Sequence, residues 1–518
     1  MSEFTSRIKN KSLLSKVMRA EDTLQFFKNG MNIGFSGFAG NEPKVIPRFL
    51  ADYVEENNLQ GKLRFGVFTG ASHGGNMDNV FASLDMVTVR YPYQSGASVR
   101  KSINRGRIRM IDKHLSHYAQ DLTYHSAPPE RGGKVDIAIV EVVGINEDGS
   151  LVLGGAVGVT PELVRFVDKI IIEVNTVMPC HEGMHDIITP QKLPNRQPLL
   201  ITNPGDRIGV TYVECDTEKI VAVVESQIPE PGRNVDLEVI DDIPEIISEY
   251  ILDFFYYEVK NGRLPKNLLP IQSGTGKIGN CVVRELGKGP FKNLSMWTEV
   301  IQDSALDLID SGKLDVVSGA GFGLSADARK RFYENLSLYA TKSVLRPAQI
   351  SNNPELIRRL GVIAMNTPVE CDIYGHVNSS LVLGSRMLNG IGGSGDFTRN
   401  SHLSIMHVPS VRPSKADKIG ISSIVPKVSH VDHTEHDVDV IVTEYGLADL
   451  RGLCPNDRAK IIIDKCAHPD YKPILRDYYD RATKECINNE SAHEPHILRE
   501  CYKMYLNLVE NGSMRKGC

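Results

Sequence analysis

The chain is predicted to be an α/β protein: two related, open α/β domains with mainly parallel sheets. Three observations predict it. Short β-branched runs alternate with glycine-rich turns and helical periodicity, the pattern of βαβ units. Val135 to Val143 and Lys169 to Val174 are almost wholly apolar, as strands covered on both faces are. Motifs of the first half also recur in the second.

In chain order, Met31–Phe38 is predicted as a strand ending in a turn. Val45, Ile46, Phe49, Leu50, Tyr53 and Val54 then mark one face of a helix. Leu63–Thr69 is a second strand, and Val135–Val143 is a third whose polar exceptions are Asp136 and Glu141. Lys169–Val174 follows in the same style. Ser226 to Arg233 is a proline- and glycine-marked loop, and Ile246, Ile247, Tyr250, Ile251, Phe254 and Phe255 define a helix after it. Leu268–Gly276 is a strand entering a turn, followed by a helix with Cys281, Val282, Val283 and Leu286 inward. Leu314–Gly321 is another strand. The expected division is an N-terminal domain over 1–225, a linker and helix over 226–265, and a C-terminal domain over 266–518.

The repeat is traced by three landmarks. Ser36-Gly37 parallels Ser273-Gly274 at an offset of 237. Asp148–Gly154 resembles Asn378–Gly384 at an offset of 230, and Val167–Glu173 resembles Val438–Glu444 at 271. The last two offsets differ by 41, which implies an inserted segment containing Gly390–Gly395.

The 518 residues are 41% hydrophobic and 24% charged, a globular average, and their number implies more than one domain. With 59 basic and 64 acidic residues the net charge is −5, which argues against a general nucleic-acid binder. No apolar run reaches the ~18 residues of a membrane span. Nine cysteines without a Cys-x-x-Cys pair suggest neither a zinc ribbon nor a thioredoxin-type site, and fit a reducing compartment. The N-terminal stretch carries Arg7, Lys9, Lys11, Lys16 and Arg19 against Glu3, a composition that overlaps with transit peptides.

Two glycine clusters carry the chemistry. Gly274-Thr275-Gly276-Lys277-Ile278-Gly279 follows a strand, opens a helix and has Glu299 20 positions beyond it. That fits a dinucleotide-binding turn, a tight strand–helix turn, or a turn whose amides hold another anion. Gly390–Phe397 is a second cluster, in which backbone N–H groups can approach a ligand closely. Two such turns with a strand-end Glu suit acyl chemistry, with a carboxylate nucleophile and an amide oxyanion hole.

These residues resemble the class I CoA-transferases, in the acetyl-CoA hydrolase/transferase branch. The segments that carry the resemblance are Gln272–Gly276, Thr298–Asp303, Arg358–Asn366, Asp372–Gly375, Met387–Phe397 and Val442–Gly452. It runs from about Arg7 to Ser513, so the basic N-terminus is expected to belong to the mature protein. The resemblance implies a CoA-transferase fold and transfer of CoA from succinyl-CoA to acetate through a glutamyl-CoA thioester, with acyl-CoA hydrolysis as the alternative. It implies coenzyme A as a substrate and no permanently bound cofactor. The partners implied are acyl-CoA, acetate and succinate, with neither nucleic acid nor membrane, in a cytoplasmic homodimer.

By resemblance, Glu299 is the nucleophile, with Asn352 and Glu444 beside it in the active site. Thr275 and Gly393 would donate backbone amides to the oxyanion. Gly274, Thr275, Gly276, Lys277, Ile278, Asn389 and Gly393 would contact CoA. Lys277 stands where the family usually has Asn, and Thr275 where it has Val or Ile. His430, His433 and His436, with Asp432, Glu435 and Asp437, have a spacing that permits ligands to converge. No metal is expected, because the chemistry implied needs none.

Overall fold

The computed structural model describes residues 2–71, 75–124, 126, 133–232 and 242–515. Arg233 and the linker residues up to 241 lie outside the described residues. The strands that build the main sheets are β1 (Asn32–Phe35), β2 (Phe65–Thr69), β3 (Val87–Tyr91), β4 (Arg109–Met110), β5 (Ile137–Val142), β6 (Lys169–Asn175) and β7 (Ile220–Ser226) in the first half. The second half supplies β8 (Ile271–Ser273), β9 (Leu294–Trp297), β10 (Leu314–Gly319), β11 (Ser343–Leu345), β12 (Ile363–Asn366), β13 (Leu403–His407), β14 (Val440–Thr443) and β15 (Gly446–Asp449). The helices used below are α1 (Val45–Glu56), α2 (Leu115–Thr123), α3 (Thr160–Phe166), α4 (Ile243–Lys260), α5 (Lys277–Lys288), α6 (Ala348–Ser351) and α7 (Ser394–Asn400).

Packing divides the chain into two units, and the division is discontinuous. Unit 1 is Met1–Asn234 with Ser295–Leu360 and Asn389–Asp396; unit 2 is Val235–Leu294 with Gly361–Leu388 and Phe397–Cys518. Segments 295–360 and 389–396, which the sequence-based division puts in a C-terminal domain, therefore pack with the N-terminal residues.

Unit 1 holds a seven-stranded sheet in the order β4-β3-β2-β1-β5-β6-β7. Its pairs are parallel. The second-half strands fall into two runs, β11-β10-β9 in unit 1 and β8-β12-β13-β14-β15 in unit 2. Numbered within its own half, the first run is fourth-third-second and the second begins first-fifth-sixth-seventh. Both repeat the neighbour relations of the first sheet, so the halves share one topology. The antiparallel β15 is an addition.

This topology corrects the third landmark. Val438–Glu444 covers β14, the seventh strand of its half, whereas Val167–Glu173 covers β6, the sixth. The counterpart of β6 is β13, at an offset of 234 between Lys169 and Leu403. That agrees with the other two offsets, and the inserted segment of 41 residues disappears. The mismatch arose because apolar runs that lead to a Glu look alike.

Local sequence explains how the first sheet is tied together. α1 buries Ile46, Leu50 and Val54 and has no side-chain N-cap of its own. Glu173 of β6 takes that place: its carboxylate accepts the N–H groups of Lys44 (2.7 Å), Val45 (3.0 Å) and Ile46 (2.7 Å). A negative group at a helix N-terminus satisfies orphan donors and meets the helix dipole. Glu141, the polar exception in β5, meets Lys44 at 2.7 Å, and Lys44 meets Glu230 at 3.0 Å. These carboxylates hold the buried ammonium charged, raising its pKa. Arg7 donates to the carbonyls of Val143, Asn175, Thr176 and Met178 at 2.9–3.2 Å, which builds the basic N-terminal segment into unit 1.

In unit 2, α4 buries Ile247, Ile251, Phe254 and Phe255 and leaves Tyr250 exposed. α5 buries Cys281, Val282, Val283 and Leu286, as expected. The core of this unit is formed by residues such as Ile373, Met406, Ile441, Ile462 and Leu475. Among the described residues, no helix is long and apolar enough to cross a membrane.

Glu173→Ala strands two buried donors and a partly buried one and should cost about 2–3 kcal/mol, read as a lower urea midpoint. Glu162 of α3 is buried against Gln349. Burial pushes its carboxyl up to about 7. A raised folded pKa means that the folded state holds the proton more tightly, so this stability is present below about pH 4.5 and is lost as pH rises through 7. Glu162→Gln should flatten that part of a stability–pH curve.

Candidate active site

Glu299 lies between β9 and a two-residue strand, Val300–Ile301, which pairs with Gly321–Phe322. Its backbone is pinned to the end of β10: Thr298 N–H donates to Ser318 O at 2.9 Å and Ala320 N–H to Glu299 O at 2.8 Å. Gly319 admits this approach, because a Cβ there would meet the Ile301 side chain at 2.9 Å. The Glu299 side chain is half-buried.

Asn352 follows α6 and is fully buried. Its Nδ2 donates to Glu299 Oε2 at 2.6 Å. Its Oδ1 accepts from Ser351 Oγ at 2.8 Å. The turn is fastened to β9 by the Trp297 indole N–H, which donates to Ser351 O at 2.7 Å. Arg346 lies 5.2 Å from the Trp297 ring centroid and also binds Ser318 Oγ and Asp186. The nucleophile candidate thus stands on a buried aromatic and ionic support.

The second glycine cluster closes on this carboxylate. A Cβ at Gly393 would lie 1.7 Å from Glu299 Oε2 and 2.4 Å from Asn352 Nδ2, so only glycine fits there. Residues 112–116 hold the cluster. Ile391 N–H donates to both Asp112 oxygens at 2.9 and 3.1 Å, and Leu115 N–H donates to Gly392 O at 3.3 Å. Ser116, on α2, gives its N–H (3.1 Å) and its Oγ–H (2.5 Å) to Asp396. Asp396 Oδ2 also faces Asn352 Nδ2 at 3.3 Å. Burial pushes the Asp396 carboxyl up to about 7, against the pull of Ser116 and Asn352. Asn389 donates from Nδ2 to the Tyr93 hydroxyl at 3.2 Å, and its carbonyl accepts from Gln94 at 3.2 Å.

Unit 2 carries its own row of groups at the C-terminal ends of its parallel strands, where open α/β sheets place ligands. The turn after β8 contains Gly274, Thr275, Gly276 and Lys277, the last three exposed, while Ile278 is buried. Gly276 has φ +144°, and a Cβ at Gly279 would lie 2.6 Å from Ser273 Oγ. Both glycines are thus required by the turn itself, with or without a dinucleotide. Gln272 and Asn366 exchange side-chain amide hydrogen bonds at 3.1 and 3.2 Å beside it. Glu444, after β14, accepts from Ser410 N at 2.8 Å and from Ser410 Oγ.

The structure therefore brings together Glu299, Asn352 and Gly393 within unit 1, with Asn389 on the same loop. Gly274, Thr275, Gly276, Lys277, Ile278 and Glu444 belong to unit 2. Sequence reasoning missed Asp112, Ser116 and Asp396 as parts of the site. Asp396 stood inside the glycine cluster, but its partners are 280 and 44 residues away. His430 faces Asp432 at 3.3 Å, His436 faces Glu435 at 3.2 Å and His433 is buried. Among the described residues, the group whose ligand atoms lie within 4.8 Å of one another is His376, Glu435 and Glu494.

Residues 1–225 match the acetyl-CoA hydrolase/transferase N-terminal domain, and residues 329–479 the C-terminal domain of the same name. A protein of Neurospora crassa named acetyl-CoA hydrolase is 52% identical, over 99% of this chain and 97% of its own length. Proteins of the same name from Schizosaccharomyces pombe and Saccharomyces cerevisiae are each 50% identical, over 99% and 98% of this chain and 99% and 97% of their own lengths. Among solved structures, RipA from Yersinia pestis aligns at a TM-score of 0.70 with 21% identity, over 94% of this chain and all of its own. A 4-hydroxybutyrate CoA-transferase from Porphyromonas gingivalis aligns at 0.60 with 20% identity, over 91% of this chain and 99% of its own. The structural likenesses show the fold, and the sequence matches show the family: this chain belongs to the acetyl-CoA hydrolase/transferase family.

Proposed function

We propose that the protein cleaves acetyl-CoA by nucleophilic catalysis at Glu299, with water as the final acceptor. The observation that carries this is the Glu299 carboxylate seated against Gly393, with the Asn352 amide donating to the same oxygen. The relatives named acetyl-CoA hydrolase, at about half identity, favour hydrolysis over the succinyl-CoA:acetate transfer that the resemblance implied.

A Glu299 oxygen attacks the thioester carbonyl and forms a tetrahedral oxyanion. Collapse expels CoA thiolate and leaves an acetyl-glutamyl anhydride. Water adds to the anhydride, giving acetate and regenerating the Glu299 carboxylate; of the two protons released, one goes to the CoA thiolate and the other to solvent. The Gly393 backbone amide serves as an oxyanion donor, and losing such a donor typically costs about 10²–10³ in rate. The resemblance would add the Thr275 amide as a second donor and Glu444 as a further active-site acid. The geometry that supports the proposal is that of unit 1 alone.

Transfer is the second reading, favoured by the dry setting of Asn352 and Asp396, both buried. There the thiolate attacks the glutamyl carbonyl, releasing acetate and leaving a glutamyl-CoA thioester. An incoming carboxylate such as succinate displaces the thiolate, and the thiolate then takes the new acyl group from the mixed anhydride. Coenzyme A is a substrate on both routes. A cytoplasmic homodimer is part of the same proposal, and light scattering reads the oligomeric state.

CoA release from acetyl-CoA should proceed without any added carboxylate. Loss of acetyl-CoA that requires added succinate, and yields succinyl-CoA in place of free CoA, would replace hydrolysis with transfer. Glu299→Ala should abolish both, and quenched wild-type enzyme should carry an acyl or CoA adduct on the Glu299 peptide in mass spectrometry. Full turnover by Glu299→Ala would overturn the nucleophile. Gly393→Ala should lose at least about 10²-fold in kcat, because the methyl displaces the Glu299 carboxylate.

A further inference from the structure

Asn352 Nδ2 carries two hydrogens and faces two carboxylates, Glu299 Oε2 at 2.6 Å and Asp396 Oδ2 at 3.3 Å. Its Oδ1 faces Ser351 Oγ at 2.8 Å. A hydroxyl both donates and accepts, so Ser351 would tolerate either orientation of the amide. Carboxylates accept, so the two acids are what point the NH₂ group at Glu299. The residue is fully buried, and no bulk water can replace a lost partner.

The two acids differ over the reaction. As an anhydride or thioester, Glu299 is no longer an anion and becomes a weaker acceptor. Asp396 is not consumed. It is 4% exposed and receives the Ser116 N–H (3.1 Å) and Oγ–H (2.5 Å). We infer that Asp396, held by Ser116, is a positioning residue that keeps the Asn352 amide aimed at Glu299 while Glu299 is acylated. This rests on the proposal that Glu299 is the nucleophile.

The test is a double-mutant cycle on acetyl-CoA turnover with Asp396→Asn, Ser116→Ala and Asn352→Ala. Asp396→Asn replaces an acceptor with a group that can turn its own NH₂ toward Asn352. It should lower kcat about 10–100-fold and change KM less than about twofold. In the Asn352→Ala background the same substitution should cost less than about twofold. Ser116→Ala keeps the backbone donor and the carboxylate. It should lower kcat about 3–10-fold, and this loss too should vanish without Asn352. Ser116→Ala carries the cycle if Asp396→Asn fails to fold. Equal losses in both backgrounds, or a loss confined to KM, would overturn the inference. Glu299→Ala separates the two levels: if it is inactive and the cycle is additive, the inference alone falls. If it keeps turnover, the nucleophile falls and takes the inference with it.

Discussion

The site depends on one carboxylate being placed where a side chain would otherwise stand. Glu299 Oε2 occupies the space that a Cβ on Gly393 would fill. Everything around it serves that contact. Backbone hydrogen bonds to β10 fix Thr298 and Glu299, Trp297 fixes the Asn352 turn, and residues 112–116 fix the glycine cluster. Each support is local in space and remote in sequence, so the carboxylate position is over-determined. A carboxylate held this way has little orientation left to lose.

The two halves share a topology and use it differently. In the first sheet, the C-terminal strand ends carry Glu141 and Glu173, and both are occupied by Lys44 and the start of α1. The crevice that open sheets use for ligands is thereby filled with the protein's own charges. In unit 2 the equivalent row keeps an exposed glycine turn, with Gln272 and Asn366 paired beside it. The repeat thus places buried, partnered carboxylates at the strand ends of one sheet and an exposed glycine turn at those of the other.

Much of this was legible in the residues. Runs such as Leu314–Gly319 and helix faces such as that of α5 follow from periodicity, and the glycine clusters mark turns where backbone must approach something. Glu299 and Gly393 were legible by motif resemblance, which placed both at one site before any coordinate did. Asp396 and Ser116 were not. Their hydrogen bond joins positions 280 residues apart, and neither residue type is unusual where it stands. Register between repeats was also hidden: the matched segments Val167–Glu173 and Val438–Glu444 end in the same letter, and only strand order separates sixth from seventh. Glu444 illustrates the limit from the other side. The motif marked it, but its partner, Ser410, lies on a different loop.

Hydrolysis and transfer need not differ in residue content. On the proposed mechanism both begin with Glu299 attacking a thioester and both pass through an anhydride, so both need the same oxyanion donors and the same fixed amide. They part at the second nucleophile, which is decided by what reaches the glutamyl carbonyl first. Burial of Asn352 and Asp396 on one side of Glu299 limits approach from within unit 1. The Glu299 side chain itself is half-buried, and on the proposed mechanism the outcome depends on whether water, thiolate or carboxylate reaches it. A single site can therefore serve both activities in one family, with the balance set by access rather than by a change in the catalytic group.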